Sequence, residues 1–168
     1  IPQARPEIDQ DMIDAVVSAL QNERLVMGES VFKFEEAFAR YIGVKRAISV
    51  SSGTDALILA LLALDCQGKE VVTTPFSFVA TANSIIHAHG NPVFSDVDGY
   101  DFNLDVKRIS ESINERTKVI MPVHLFGCPC DMDELNDLVE EKELFIVEDA
   151  CQAHGATYKG KKAGSLGD

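Results

Sequence analysis

Apolar residues recur along this chain in two rhythms: long stretches spaced by three and four positions, and short solid runs between them. The first rhythm predicts helices and the second predicts strands. Residues 9–22 put Met12, Ile13, Val16, Val17 and Leu20 on one helical face. Residues 29–41 align Phe34, Phe38 and Tyr41, and Gly43 stops that helix. Further helices are predicted at 54–64, at 79–89, at 105–115 with Val106, Ile109 and Ile113 inward, and at 131–142 with Met132, Leu135, Leu138 and Val139 inward. The runs at 47–50, 70–74, 92–96, 118–122 and 144–148 read as short strands. Helices alternating with short apolar strands mean βαβ units and a mainly parallel sheet covered on both faces. The predicted fold class is therefore α/β, a three-layer α/β/α sandwich. Asp98-Gly99-Tyr100-Asp101 predicts a turn. The tail from 158 to 168 reads as a hairpin or loop without a finishing element, so the chain reads as interrupted.

Composition narrows the partners. A length of 168 residues with 46% hydrophobic content fits one domain with a real core. Fifteen basic against 27 acidic residues leave a net charge of −12, which argues against nucleic acid and against anionic membrane surfaces. The first seven residues carry no basic region followed by an apolar one, and the apolar run at 56–64 is too short to span a bilayer; a cytoplasmic protein is expected. Of the cysteines at 66, 128, 130 and 151, only Cys128-Pro129-Cys130 are close, and that spacing is neither a zinc knuckle nor a redox pair. His87, His89, His124 and His154 form no metal pattern, so no metal site is expected.

Two segments carry candidate chemistry. In 145–155, an apolar run ends in Glu148-Asp149 and then in Ala150, Cys151 and Gln152. A buried parallel strand delivers an acid in this way to the mouth of an α/β sheet, where ligands bind. Alternation sends the two carboxylates to opposite faces, so one of them is expected to face the crevice; the competing reading is a helix cap or a salt-bridge partner. Gln152 is placed to hydrogen-bond a phenolic oxygen or a substrate. Far upstream, Ser51-Ser52-Gly53-Thr54-Asp55 leads from a predicted strand into a helix. Gly53 permits a tight turn and close approach, and the Thr54 and Asp55 amides with the Thr54 hydroxyl suit an anion at the helix start. The competing reading is a helix merely capped by Ser52. Phe78, in Pro75-Phe76-Ser77-Phe78 after a strand, is either a ring that stacks on a flat cofactor or ordinary core. A phosphate cradle together with an acid that partners a ring nitrogen describes a pyridoxal 5'-phosphate site.

Taken together, these residues resemble the DegT/DnrJ/EryC1/StrS sugar aminotransferases, which have the aspartate aminotransferase fold. The resemblance runs through Ala4-Arg5-Pro6, 24–29, 50–57, 75–83, Pro122-Val123-His124-Leu125-Phe126-Gly127, 147–156 and Gly164-Ser165-Leu166-Gly167-Asp168. It implies that Gly53, Thr54 and Asp55 bind the cofactor phosphate. It also implies that Phe78 stacks on the pyridine ring, that Asp149 binds the ring nitrogen as the catalytic acid, that Gln152 sits near the ring hydroxyl, and that Met27-Gly28 lie near the substrate entrance. It implies an amino-group transfer, from glutamate, to a nucleotide-linked keto sugar by a homodimer. In the family the cofactor lysine follows the Ser-Leu-Gly-Asp segment, and the lysines of this chain lie outside that motif. Lys159, Lys161 and Lys162 read as a solvated loop. Residues 1–168 are accordingly expected to be an incomplete cofactor-binding large domain, inactive alone. Two alternatives remain open: a sugar dehydratase of the same family, with histidine at the lysine position, and a non-catalytic binding or regulatory chain.

Overall fold

A computed structural model describes residues 6–168; Ala4-Arg5, at the start of the resemblance, lie outside the described residues. The chain divides into two compact units, Ile1–Ser49 and Val50–Asp168.

In the first unit, α1 (Gln10–Asn22) starts at Asp9, whose carboxylate accepts the Met12 amide at 2.9 Å. The predicted stripe of Met12, Ile13, Val16, Val17 and Leu20 is present but exposed, with no residue of α1 buried. Spacing sets a stripe, whereas burial also requires a facing surface. Helix α2 (Glu29–Ile42) buries Ala39 and Ile42 and stacks Phe34 on Phe38 at 5.5 Å. It ends at Gly43, whose φ of 91° turns the Val44 amide back to the Ala39 carbonyl at 3.0 Å. The strand expected at 47–50 does not form. The Ser49 amide and hydroxyl both bond Glu35 Oε1 at 2.8 Å, and among the described residues no strand pairs with this segment. A strand needs a backbone ladder, and here a helix side chain takes the polar groups.

The second unit is built on a parallel sheet of β1 (Glu70–Thr73), β2 (Asn91–Phe94), β3 (Thr117–Met121) and β4 (Phe145–Ile146), in the order β2-β1-β3-β4. Helices α3 (Gly53–Ala63) and α4 (Val79–His87) cover one face, packing Leu57, Leu61 and Ile85 on Val71, Val119 and Met121. Helices α5 (Val106–Ser112) and α6 (Met132–Lys142) cover the other, packing Ile109, Met132 and Leu135 on Val72, Ile120 and Ile146. Val71 and Val72 thus serve opposite cores, as strand alternation requires. This is the three-layer α/β/α arrangement. Each fully buried Leu or Ile contributes about 1.5–3 kcal/mol of transfer free energy. A short antiparallel hairpin, β5 (Thr157–Tyr158) with β6 (Lys161–Lys162), follows as expected of the tail. Its Lys159 is ion-paired with Asp133 rather than simply solvated.

Strand β4 is shorter than the 144–148 expected, yet its pairing continues. The Val147 amide reaches the Ile120 carbonyl, and the Asp149 amide reaches the Pro122 carbonyl at 2.9 Å. A last parallel bridge joins Val123 to Asp149. The ladder therefore carries Asp149 to the carboxyl end of the sheet, where α3 and α4 begin.

Candidate functional site

Asp149 is 7% exposed and held on all sides. Its backbone is fixed by Pro122 and by the His124 amide, which donates to the Asp149 carbonyl at 3.1 Å. Its Oδ2 accepts the hydroxyl of buried Thr81 at 2.9 Å. Thr81 Oγ1 lies 2.8 Å from Ser77 Oγ. Oδ1 takes a long contact from the Cys151 amide at 3.4 Å, and the Cys151 thiol also interacts with this carboxylate. A cavity of about 200 Å³ opens beside this carboxylate, and Gly53, Thr54, Ser77, Phe78, Thr81, Cys151 and Gln152 line it with Asp149. Glu148 points to the opposite face, so of the two adjacent acids it is Asp149 that meets the cavity.

Helix α3 begins at this cavity. Ser52 caps it, accepting the Asp55 amide at 3.1 Å and donating to Asp55 Oδ2 at 2.9 Å, while Ser51 also donates to that carboxylate. The Ser51 and then the Ser52 hydroxyl hold the Asp55 carboxyl below its ordinary range. The expectation of a free Asp55 amide is therefore corrected: Ser52 consumes it, and Asp55 is not among the residues lining the cavity. The Gly53 and Thr54 amides and the Thr54 hydroxyl remain as donors. No strand precedes this turn, a second departure from the reading of residues 47–55. At Gly53 a Cβ would stand 2.7 Å from Cys151 Sγ, so a side chain there would have to displace that thiol. Burial, then the neighbouring Asp149, pushes the Cys151 thiol up to about 11.

Phe78 is the N-cap residue of α4 and is 72% exposed, so it is not core and its ring is open at the cavity edge. Gln152 Oε1 accepts the Phe126 amide at 2.9 Å. An amide N–H only donates, so the Gln152 oxygen is committed there and its NH₂ group is the one left for a ligand. Gly53, Thr54, Phe78, Asp149 and Gln152 thus meet at one cavity, Asp55 supports the turn from behind, and Met27-Gly28 belong to the other unit. The sequence reading did not single out Thr81 as a partner of Asp149. Its signal was the pair of hydroxyls at 77 and 81, which straddle the start of a predicted helix.

The donor set fits pyridoxal phosphate: amides and a hydroxyl for an anion, a carboxylate for a ring N–H, an NH₂ for a phenolate, a flat ring, and a glycine where an added side chain would press on Cys151. Among the described residues no lysine or histidine lines the cavity, and no cluster of His, Cys, Asp or Glu is arranged to hold a metal ion.

Comparison with known proteins shows the family. The model of the DegT/DnrJ/EryC1/StrS aminotransferase family matches residues 6–168. A GDP-perosamine synthase of Caulobacter vibrioides is 43% identical over 98% of this chain and 45% of its own length. The crystal structure of an aminotransferase from Psychrobacter cryohalolentis superposes with a TM-score of 0.93 at 41% identity, covering 96% of this chain and 42% of that one. A GDP-4-keto-6-deoxymannose-3-dehydratase, solved with a trapped PLP-glutamate geminal diamine, superposes with a TM-score of 0.92 at 31% identity over 99% of this chain and 45% of its own. The chain therefore spans less than half the length of the relatives it matches.

Proposed function

The chain belongs to the DegT/DnrJ/EryC1/StrS aminotransferase family, and on that premise we propose that it forms the pyridoxal phosphate-binding domain of a sugar aminotransferase. The buried Asp149 carboxylate, aimed into a cavity edged by an exposed aromatic ring, carries this reading. Asp149 holds a proton on the ring nitrogen, and the bound cofactor then supplies an electron sink for amino-group transfer. Phe78 covers one face of the ring, the Gln152 NH₂ donates to the ring hydroxyl, and Gly53 and Thr54 bind the phosphate at the start of α3. Asp55 supports that turn through its bonds to Ser51 and Ser52.

The acceptor we propose is a nucleotide-linked keto sugar and the donor an amino acid, glutamate. The GDP-sugar names of two relatives and the glutamate trapped in one of them support that choice. We also propose a homodimer acting in the cytoplasm; among the described residues no helix is long and apolar enough to cross a membrane.

The deciding experiment is a fluorescence titration of the chain with pyridoxal phosphate, beside the variant D149N. Saturable binding weakened about tenfold or more in D149N is expected, since the pair is a charge-assisted hydrogen bond. Absence of saturable binding, or equal binding by D149N, overturns the proposal.

A dehydratase is the second reading, which the superposition on such an enzyme favours. Incubation of the intact enzyme with a GDP-linked 4-keto sugar, glutamate and cofactor separates the two: an aminated sugar supports transfer, and a deoxygenated sugar supports dehydration.

A further inference from the structure

We propose that Ser77 and Thr81 form a two-hydroxyl relay that orients Asp149, so that Oδ1 is the oxygen presented to the cofactor ring nitrogen. This rests on the reading of Asp149 given above. A carboxylate only accepts hydrogen bonds, so the 2.9 Å contact fixes Thr81 as donor to Oδ2. With its one proton committed, Thr81 Oγ1 accepts at 2.8 Å from the Ser77 hydroxyl. The order Ser77→Thr81→Asp149 follows from hydrogen counting alone.

Three features make this a positioning device rather than incidental packing. Thr81 is 2% exposed, so water does not substitute for it. All three side chains line the same cavity. The relay anchors Oδ2 through a 2.9 Å hydrogen bond, whereas the backbone contact to Oδ1, from the Cys151 amide, is a long 3.4 Å. One oxygen is thus anchored and the other left for a ligand donor. Ser77, having given its proton to Thr81, faces the cavity with lone pairs only, so it accepts from a bound group and does not donate to it. Thr81 is itself anchored: its amide bonds the Phe78 carbonyl at 3.0 Å, and its carbonyl accepts the Ser84 hydroxyl at 2.8 Å. The start of α4 therefore sets both the exposed ring of Phe78 and the angle of the Asp149 carboxylate.

The test is the ¹⁵N resonance of ring-labelled pyridoxal phosphate bound non-covalently to the chain, with the dissociation constant measured in parallel. In the wild type the nitrogen is expected at the protonated-pyridine position. T81V should move it toward the neutral position and weaken binding about tenfold, the equivalent of one buried hydrogen bond, while T81S should restore both. S77A alters only a half-buried hydroxyl, so it keeps the fold and should shift the resonance in the same direction by less. D149N separates the two ideas. If D149N leaves the resonance and the affinity unchanged, the reading of Asp149 fails and the relay with it. If D149N shifts the resonance while T81V and S77A do not, only the relay is overturned.

Discussion

His124 Nε2 lies 2.8 Å from Glu148 Oε2, with the two side chains 0% and 6% exposed. His124 Nδ1 accepts the Cys130 amide at 3.2 Å, so the ring proton sits on Nε2 and is donated to the carboxylate. Glu148 also accepts the amides of Gly164, Leu166 and Gly167 at 2.8, 2.6 and 2.8 Å. One buried carboxylate thus ties the end of the sheet to the Gly-Ser-Leu-Gly segment, while its neighbour Asp149 serves the cavity. E148Q turns an NH₂ toward these donors. It should cost about 2–3 kcal/mol in urea unfolding and speed hydrogen exchange of the Leu166 and Gly167 amides.

The same pair predicts a pH dependence. Burial raises the Glu148 carboxyl, but His124 and the three amides outweigh it and hold the group below its ordinary value of 4.5. A depressed folded value means the unfolded chain binds the proton more readily, so the contribution is complete above pH 4.5 and is lost as pH falls through the lower folded value. Thermal melts between pH 7 and pH 3 should show stability falling only below about 4.5, with a shallower fall in E148Q.

Gly167 presses on β4. A Cβ there would lie 2.9 Å from both the Ile146 carbonyl oxygen and Ile146 Cγ2, and the Asp168 carboxylate accepts the Ile146 amide at 2.8 Å. Because a backbone atom is involved, the clash is not relieved by a rotamer change. G167A should cost about 1–3 kcal/mol in denaturant unfolding.

G53A makes a contrasting case. Its added methyl meets only Cys151 Sγ, the end of a side chain. G53A is expected to weaken pyridoxal phosphate binding with a stability change under about 1 kcal/mol. C151A added to it should restore binding, and a titration of the single and double variants checks both.

Thiol labelling reports on the same region. Burial raises the Cys130 thiol to about 12, and Cys151 stands at about 11. Cys66 is buried, and Cys128 is exposed. At pH 8 a disulfide reagent should show one fast phase, removed by C128A, with Cys151 reacting slowly because little of it is thiolate. A fast phase that survives in C128A contradicts this order.

The homodimer is checked by light scattering at micromolar concentration. Exposed side chains such as Leu59 and Leu62 favour association. A clean monomer counts against it.

The sequence by itself determined the alternation of helices and parallel strands, the stop at Gly43, and the opposite facing of Glu148 and Asp149. Each of these depends on neighbours within a few positions: helical spacing, a left-handed glycine, the two-residue period of a strand. Only the tertiary structure decided the rest. The run at 47–50 has strand composition, but a strand exists only when another backbone meets it, and Glu35 captures Ser49 instead. The Asp55 amide looked free until Ser52 was seen to cap it. His124 looked like an isolated histidine because its partner is 24 positions away, and Thr81 reaches Asp149 across 68. Such contacts carry no local signature, because side-chain hydrogen bonds depend on where folding places the two ends of the chain, and that is set by how both cores pack against the sheet.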